Sequence, residues 1–144
     1  MWRTVLVALL SAIAVWLAID ALIVTDAERV EAEVERLVDL ARQGGEEAAQ
    51  EILAALADDY RGTGFYSRAN IESRVRRHLV EERPEELSTG KIVAVPKGEE
   101  VVVPLLTIHV RTRREEVSRP FRVTFAERDG RFRIVNVENW GLER

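Results

Sequence analysis

The residues with the strongest potential for chemistry lie near the C-terminus, where Asn136, Glu138 and Trp140 occupy alternate positions. If Phe132 and Ile134 face the protein core, strict alternation along a strand points these three side chains to the same side. A carboxyl group that faces an interior loses hydration, which raises its pKa toward the range useful for proton transfer. A bulge would reverse the alternation, and an exposed strand end would leave Glu138 in solvent, so these outcomes stay open.

A second candidate group, in the stretch DDYRGTGFY, combines aromatic residues with paired acids. Tyr60 and Phe65 are predicted to line a pocket, because both rings are apolar and the tyrosine also carries a hydrogen-bonding hydroxyl. Asp58 and Asp59 have the spacing of paired carboxylates. They also follow directly after a predicted helix, where acidic side chains commonly remain solvated, so no catalytic role is predicted for them.

The composition excludes several kinds of site and partner. The chain has no cysteine, which removes disulfides, thiolate metal ligands and thiol nucleophiles. Its two histidines, His78 and His109, form no HExxH pattern or other recognisable metal-binding spacing. The net charge of -4 comes from interleaved acids and bases, so no basic field is present to attract nucleic acid. We therefore predict no metal site, no cofactor and no nucleic-acid partner.

The N-terminal segment has the length and composition of a membrane-spanning helix. Between Val5 and Val24 the only charge is Asp20, and at about 1.5 Å per residue the segment extends roughly 30 Å, the thickness of the hydrocarbon layer. Arg3 precedes the segment and acidic residues follow it, an asymmetry that places the N-terminus in the cytoplasm. The sequence therefore predicts a single-pass signal-anchor over residues 1–25, with the remaining domain on the extracytoplasmic side of a bacterial-type cell membrane.

A cleaved signal peptide is the main alternative for this segment. Cleavage requires small residues before the cut, and Thr25 with Ala27 fits that requirement best but lies further along the chain than usual. The sequence from Thr25 to Glu28 also has the spacing of a capping box at the start of the next helix. Because no flexible linker separates the two helices, we expect them to form one continuous rod.

Residues 26–144 have the size of one domain, and their apolar pattern changes along the chain. Apolar residues recur at helical spacing up to Leu79, whereas after Leu87 the period becomes two. This pattern predicts an α+β fold in which three helices pack on a curved antiparallel sheet of about four strands. The helices are expected over 26–43, 48–56 and 67–83, and the strands over 88–95, 100–112, 117–127 and 131–139.

The two faces of the predicted sheet differ in character. The residues expected to meet the helices are Val102, Pro104, Leu106, Ile108, Val110, Val117, Phe121, Val123 and Phe125. The opposite face begins with an apolar row, Val101, Val103 and Leu105, before it turns polar. Because an exposed apolar row needs a cover, we predict that these three residues form an interface with a second copy of the chain or with another protein.

The order of the elements resembles that of the nuclear transport factor 2-like superfamily, which includes SnoaL-like proteins and has a cystatin-like cone. The resemblance covers residues 26–144 and rests on the stretches LADDYRGTGF and GRFRIVNVENW. It implies a curved sheet that wraps the helices and leaves a pocket. Members of the superfamily include ketosteroid isomerases, SnoaL-like cyclases, dehydratases and non-catalytic binding or assembly domains, so the fold alone does not fix a function.

The residues that the isomerase-like members use are missing from this sequence. Their general base follows the paired aspartates by about five positions, where this chain has Gly64, and their oxyanion-donating tyrosine corresponds to Leu37. The leading hypothesis is therefore a membrane-anchored, non-enzymatic binding or assembly domain. The alternative is a small-molecule pocket protein, or a SnoaL-like isomerase, cyclase or dehydratase, that acts on a small apolar ligand.

Overall fold

The computed structural model describes residues 1–22 and 25–139 and begins with helix α1, Trp2–Leu22. Every side chain from Met1 to Ile19 is exposed. By length and composition, the segment Trp2–Ile19 is apolar enough to cross a membrane, a test that an N-terminal signal sequence also passes. The helix expected at the N-terminus is therefore present, and the described part of the domain buries none of its side chains from Met1 to Ile19.

Helix α2, Asp26–Gln43, starts at a complete capping box. The Thr25 side chain accepts a hydrogen bond from the Glu28 backbone N–H, and the Glu28 carboxylate accepts one from the Thr25 backbone N–H. Thr25 itself is extended, with φ -72° and ψ 159°. The expectation of one continuous rod is therefore wrong, because the capping residue leaves the helical conformation in order to satisfy the first N–H groups of α2.

Two further helices complete the helical layer. Helix α3 spans Glu46–Ala54, and helix α4 spans Arg68–Arg76 after a 3₁₀ turn at Gly64–Tyr66. Helix α4 starts at Ser67, whose side chain accepts a hydrogen bond from the Asn70 N–H, and it continues into a π-helical turn at Arg77–Glu81. Leu79 in that turn is buried, as its helical spacing predicts.

Five antiparallel strands form one sheet, in the order β1-β3-β4-β5, with β2 also paired to β3. The strands are β1 Glu86–Thr89, β2 Val95–Lys97, β3 Glu100–Arg111, β4 Glu116–Arg128 and β5 Arg131–Asn139. The single strand expected over 88–95 is divided in two. β1 pairs with the C-terminal end of β3 and β2 pairs with its N-terminal end, so the chain leaves the sheet between β1 and β2. The predicted α+β class, with helices on an antiparallel sheet, is confirmed.

The core lies between α2 and one face of the sheet. Val30, Val34 and Val38 recur along α2 and pack against the apolar side chains of the strands. The predicted inward residues of β4 are confirmed for Val123 and Phe125, which are buried, and Phe121 packs against the same cluster.

The predicted faces of β3 are reversed over its first half. Val101 and Val103 are 2% and 0% exposed and belong to the core beside α2. The pairing with β4 shifts register between Val103 and Leu106, so Leu106 also points inward while Leu105 is 44% exposed. The placement of Val101 and Val103 on an outer interface is therefore wrong. The prediction assumed strict alternation along the whole strand, whereas a bulge between Val103 and Leu106 changes the side of the sheet to which the side chains point.

Candidate functional site

A second bulge moves the predicted polar pair of β5 away from the helices. Phe125 pairs with Ile134 while Thr124 pairs with Asn136, so Val135 is an extra residue on β5. Beyond it, Val137 lies opposite Val123 and packs on the core, whereas Glu138 lies opposite Arg122. Asn136 and Glu138 are therefore on the outer face, which is the outcome that the sequence left open for a bulged strand.

On the outer face the two residues belong to a network of paired charges. The Asn136 Nδ2 donates to Glu138 Oε1 over 2.8 Å, and Arg122 lies 4.0 Å from the same carboxylate. Asp59 receives two hydrogen bonds from the Arg128 guanidinium, at 3.2 and 2.9 Å, which hold the pKa of the carboxyl below its usual value. Glu138 and Asp59 therefore each have a cationic partner.

The paired charges continue across the outer face to β3. Arg61 donates to both oxygens of Glu100, over 2.8 and 3.1 Å. The Arg61 backbone N–H also donates to Val135 O, and Ala57 N–H donates to Ile134 O, so residues 55–61 extend the sheet beside β5. The stretch that contains the paired aspartates therefore has a structural function as an edge of the sheet.

The aromatic residues predicted to line a pocket lie on the helix-facing side of the sheet, near the C-terminal end of β5. The Tyr60 hydroxyl donates to Tyr66 O over 2.7 Å, and burial raises the pKa of Tyr60 to about 12. The ring of Phe65 contacts that of Tyr66 edge to face at 5.4 Å, and Tyr66 contacts Phe121 in the same way at 6.2 Å. The Tyr66 hydroxyl donates to Asn139 Oδ1, which links the 3₁₀ turn to the end of β5.

Two arginines join these rings. The Arg74 guanidinium lies 3.1 Å above the centre of the Phe65 ring and 5.8 Å from that of Tyr66. Arg119 lies two residues before Phe121 on β4, so the two side chains point to the same side of the sheet. Arg119 also pairs with Ile108, which packs on the core, so Arg119 belongs to the helix-facing side. Burial lowers the pKa of Arg74, and the positive charge of Arg119 lowers it further. We call the group Phe65, Tyr66, Arg74, Arg119 and Asn139 the aromatic–arginine cluster.

The helix-facing side of the sheet is packed with apolar side chains. Phe125 and Phe132 are 0% and 7% exposed in the core. Among the described strand residues on the helix-facing side, the ionisable groups are Arg119 and Glu127, and Glu127 lies 3.5 Å from Arg29. The arrangement therefore holds no buried general acid or base within the described strands, and it presents cations beside aromatic rings at the surface.

Two surface clefts lie away from the predicted pocket residues. One, of about 510 Å³, separates α2 from the residues between β1 and β2, and its walls include Glu31, Glu35, Asp39 and Lys91. The other, of about 220 Å³, lies between α2, α3 and the start of β5. Neither cleft contains Tyr60, Phe65, Asn136 or Glu138. No group of three or more histidine, aspartate or glutamate side chains in residues 1–22 and 25–139 could hold a metal ion.

The sequence identified part of the aromatic–arginine cluster. It singled out Phe65, together with the neighbouring Tyr60, whereas Arg119 and Asn139 were missed, although Arg119 has the same alternation as the apolar residues of β4. Trp140, the remaining predicted pocket residue, lies outside the described residues.

Comparisons with known proteins identify the fold. No family model matches the sequence, and no curated protein matches it. An NTF2-like protein with a cystatin-like fold from Novosphingobium aromaticivorans aligns with 21% identity and a TM-score of 0.55, covering 81% of each chain. A putative calcium/calmodulin dependent protein kinase II association domain from Xanthomonas campestris aligns with 15% identity and a TM-score of 0.59, covering 81% of this chain and 88% of its own.

An enzyme-like neighbour has the same architecture. A putative scytalone dehydratase from N. aromaticivorans aligns with 13% identity and a TM-score of 0.57, covering 76% of this chain and 79% of its own. At these identities the likeness concerns the fold, and the neighbours differ in the functions their names give. The helices and the antiparallel sheet of this chain thus have the nuclear transport factor 2-like fold.

Proposed function

We propose that this chain is a membrane-tethered, non-enzymatic binding domain. The observation that carries the proposal is α1, in which every side chain from Met1 to Ile19 is exposed. Leaving a large apolar side chain in water instead of burying it costs about 1.5–3 kcal/mol, and Leu9, Leu10, Ile13 and Leu17 are four of many such residues here. A lipid bilayer removes this cost for the whole helix.

The sequence around α1 supports one orientation. Arg3 lies in the first turn of α1, and Asp26 and Glu28 lie in the first turn of α2. Since positive residues favour the cytoplasmic side, the domain lies on the extracytoplasmic side of a bacterial-type membrane. Because three residues reach at most about 11 Å, a membrane-inserted α1 holds the start of α2 close to the bilayer surface.

The packed core on the helix-facing side of the sheet supports a binding function over a catalytic one. The position at which isomerase-like relatives place a general base is Gly64, which is exposed at the start of the 3₁₀ turn. Phe125 and Phe132 are buried in the core on the helix-facing side of the sheet, where the resemblance implies a pocket. A domain of this kind holds its ligand at the surface, without a group to abstract a proton.

Self-association and catalysis are the two other functions that the neighbours suggest. The name of one neighbour describes an association domain, and that of another a dehydratase. Self-association through the row Val101, Val103 and Leu105 has less support than binding of another molecule, because Leu105 is the one exposed residue of the three. Catalysis on a small apolar ligand remains the alternative, and the neighbour named as a dehydratase is the observation that favours it.

Membrane fractionation of the full chain tests the tether. Leu10→Arg combined with Ala14→Arg adds two charges at mid-helix, each costing about 2.5–3.5 kcal/mol on insertion, and should release the protein from carbonate-washed membranes. The matched control, Leu10→Ala combined with Ala14→Leu, keeps the composition and should stay in the membrane. A doubly charged variant that remains membrane-bound, or a wild-type chain recovered without residues 1–25, would overturn the tether.

A further inference from the structure

Arg74 is a partly desolvated cation with an unusual environment. Its guanidinium stacks on Phe65 at 3.1 Å and lies near Tyr66, and its own side chain is half-buried. An aromatic face attracts a guanidinium but does not neutralise its charge. The stack therefore positions Arg74 while leaving its N–H donors available for an anion.

A second cation increases the positive charge at this place. Arg119 lies two residues before Phe121 on the same face of β4, and the Phe121 ring contacts the ring of Tyr66, near which Arg74 lies. Within the described residues no carboxylate forms an ion pair with Arg74 or Arg119. On the outer face, Arg61, Arg111, Arg122 and Arg128 do have such a partner.

The rest of the cluster supplies apolar and polar contacts beside these cations. Phe65 is 58% exposed, and its edge-to-face contact with Tyr66 builds two walls at nearly a right angle, 87°. Asn139 is held by the Tyr66 hydroxyl and keeps its amide N–H₂ group as a further donor. An anion that enters this corner meets donors on one side and rings on the other.

We infer that the aromatic–arginine cluster binds the carboxylate of a small molecule that has an apolar body. Arg74 and Arg119 hold the carboxylate, and Phe65 and Tyr66 contact the apolar body. Guanidinium groups match the planar geometry of carboxylates with paired hydrogen bonds. A free phosphate would satisfy the charge but would leave the rings without a partner, so an organic acid fits both halves of the site. This inference rests on the proposed binding function and names its ligand class.

Calorimetric titration of the full chain in lipid nanodiscs tests the site, with benzoate as the probe and benzamide as its uncharged counterpart. Benzoate should bind roughly tenfold more tightly than benzamide, and Arg119→Gln should abolish that preference. Arg113→Gln is the matched control, because Arg113 is an exposed arginine of the β3–β4 hairpin outside the cluster. Empty nanodiscs give the contribution of partitioning into lipid.

Three results would overturn the assignment: equal affinity for benzoate and benzamide, unchanged benzoate binding in Arg119→Gln, or tighter binding of inorganic phosphate than of benzoate. Arg74→Gln removes a packed side chain, so its effect on binding would not be separable from its effect on folding. The arginine N–H resonances of the wild-type chain therefore provide the second readout. Benzoate should shift those of Arg74 and Arg119 and leave that of Arg113 in place.

The two proposals fail separately. A chain that fractionates with membranes but shows no benzoate preference loses this site and keeps its tether. A chain that binds benzoate through Arg119 but does not fractionate with membranes loses the tether alone.

Discussion

On the outer side of the sheet, Arg128 and Arg61 each donate two hydrogen bonds to a carboxylate, whereas on the helix-facing side Arg119 and Arg74 have aromatic neighbours and no such partner among the described residues. Arg119 and Arg128 lie on the same strand, β4, whereas Arg61 and Arg74 come before the sheet in the sequence. The difference is that carboxylates within the domain neutralise Arg61 and Arg128, whereas no described carboxylate pairs with Arg74 or Arg119.

The two sides also differ in how the sheet meets its surroundings. The helix-facing side contributes Val103 and Phe125 to the core, and both are 0% exposed. The outer side carries polar cross-strand pairs, such as Arg122 opposite Glu138 and Ser118 opposite His109. Substitutions on the two sides should therefore change the free energy of unfolding by different amounts and, at the arginines, in opposite directions.

The largest effect is expected at the bulge of β3. Val103→Glu places an unpaired charge in the core and should destabilise the fold by about 4 kcal/mol or more, enough to prevent folding. Leu105→Glu, two residues along, should change the free energy of unfolding by no more than about 0.5 kcal/mol, because Leu105 is exposed. Urea unfolding followed by circular dichroism compares the variants. Equal destabilisation would contradict the bulge.

A smaller loss is expected at the hydrogen bond between Tyr66 and Asn139. Tyr66→Phe removes the donor and should cost about 1 kcal/mol, because the half-buried Asn139 oxygen loses its partner. On the outer side, Ser118→Ala removes the hydrogen bond to His109 at an exposed position and should cost less than about 0.5 kcal/mol. Denaturant titration of both variants gives the comparison, and a larger loss for Ser118→Ala would show that the two sides are misassigned.

A change of sign is expected between two arginine variants. Arg119→Gln relieves repulsion with Arg74 and should stabilise the fold by about 0.2–0.5 kcal/mol at low salt. Arg128→Gln breaks the pair with Asp59 and should destabilise it slightly. Both effects should shrink in high salt, since exposed charges are screened. Thermal unfolding at two salt concentrations measures the difference, and destabilisation by both variants would refute the contrast.

The smallest effect concerns pH and the outer ion pair. Because Arg128 lowers the pKa of Asp59 in the folded state below the ordinary 3.8, the pair stabilises the protein above that pH. The stabilisation is lost as pH falls through the lower, folded-state pKa. The stability difference between wild type and Asp59→Asn should therefore be present at neutral pH and should decline in acid. Unfolding curves across that range measure it, and a difference that grows in acid would contradict the assigned pair.

Much of the fold follows from local sequence. The capping box at Thr25, the start of α4 at Ser67 and the strands β3 to β5 lie where the pattern predicts them. Phe121, Val123 and Phe125 face the helices as their alternation indicates, because β4 has no extra residue in the pairings with its two neighbours. Wherever a strand keeps a regular register, the period of two determines which side chains are buried.

The sequence by itself determined the apolar N-terminal helix, the order of helices and strands, and the apolar character of the core, since each depends on residues close together in the chain. The tertiary structure alone decided which side of the sheet receives Val103, Asn136 and Glu138, because each bulge is set by pairing with β4. It also decided that Arg74 and Arg119 lie in one cluster. Arg74 and Arg119 are 45 residues apart in the sequence, so their proximity depends on how α4 and β4 pack together, which no local pattern records.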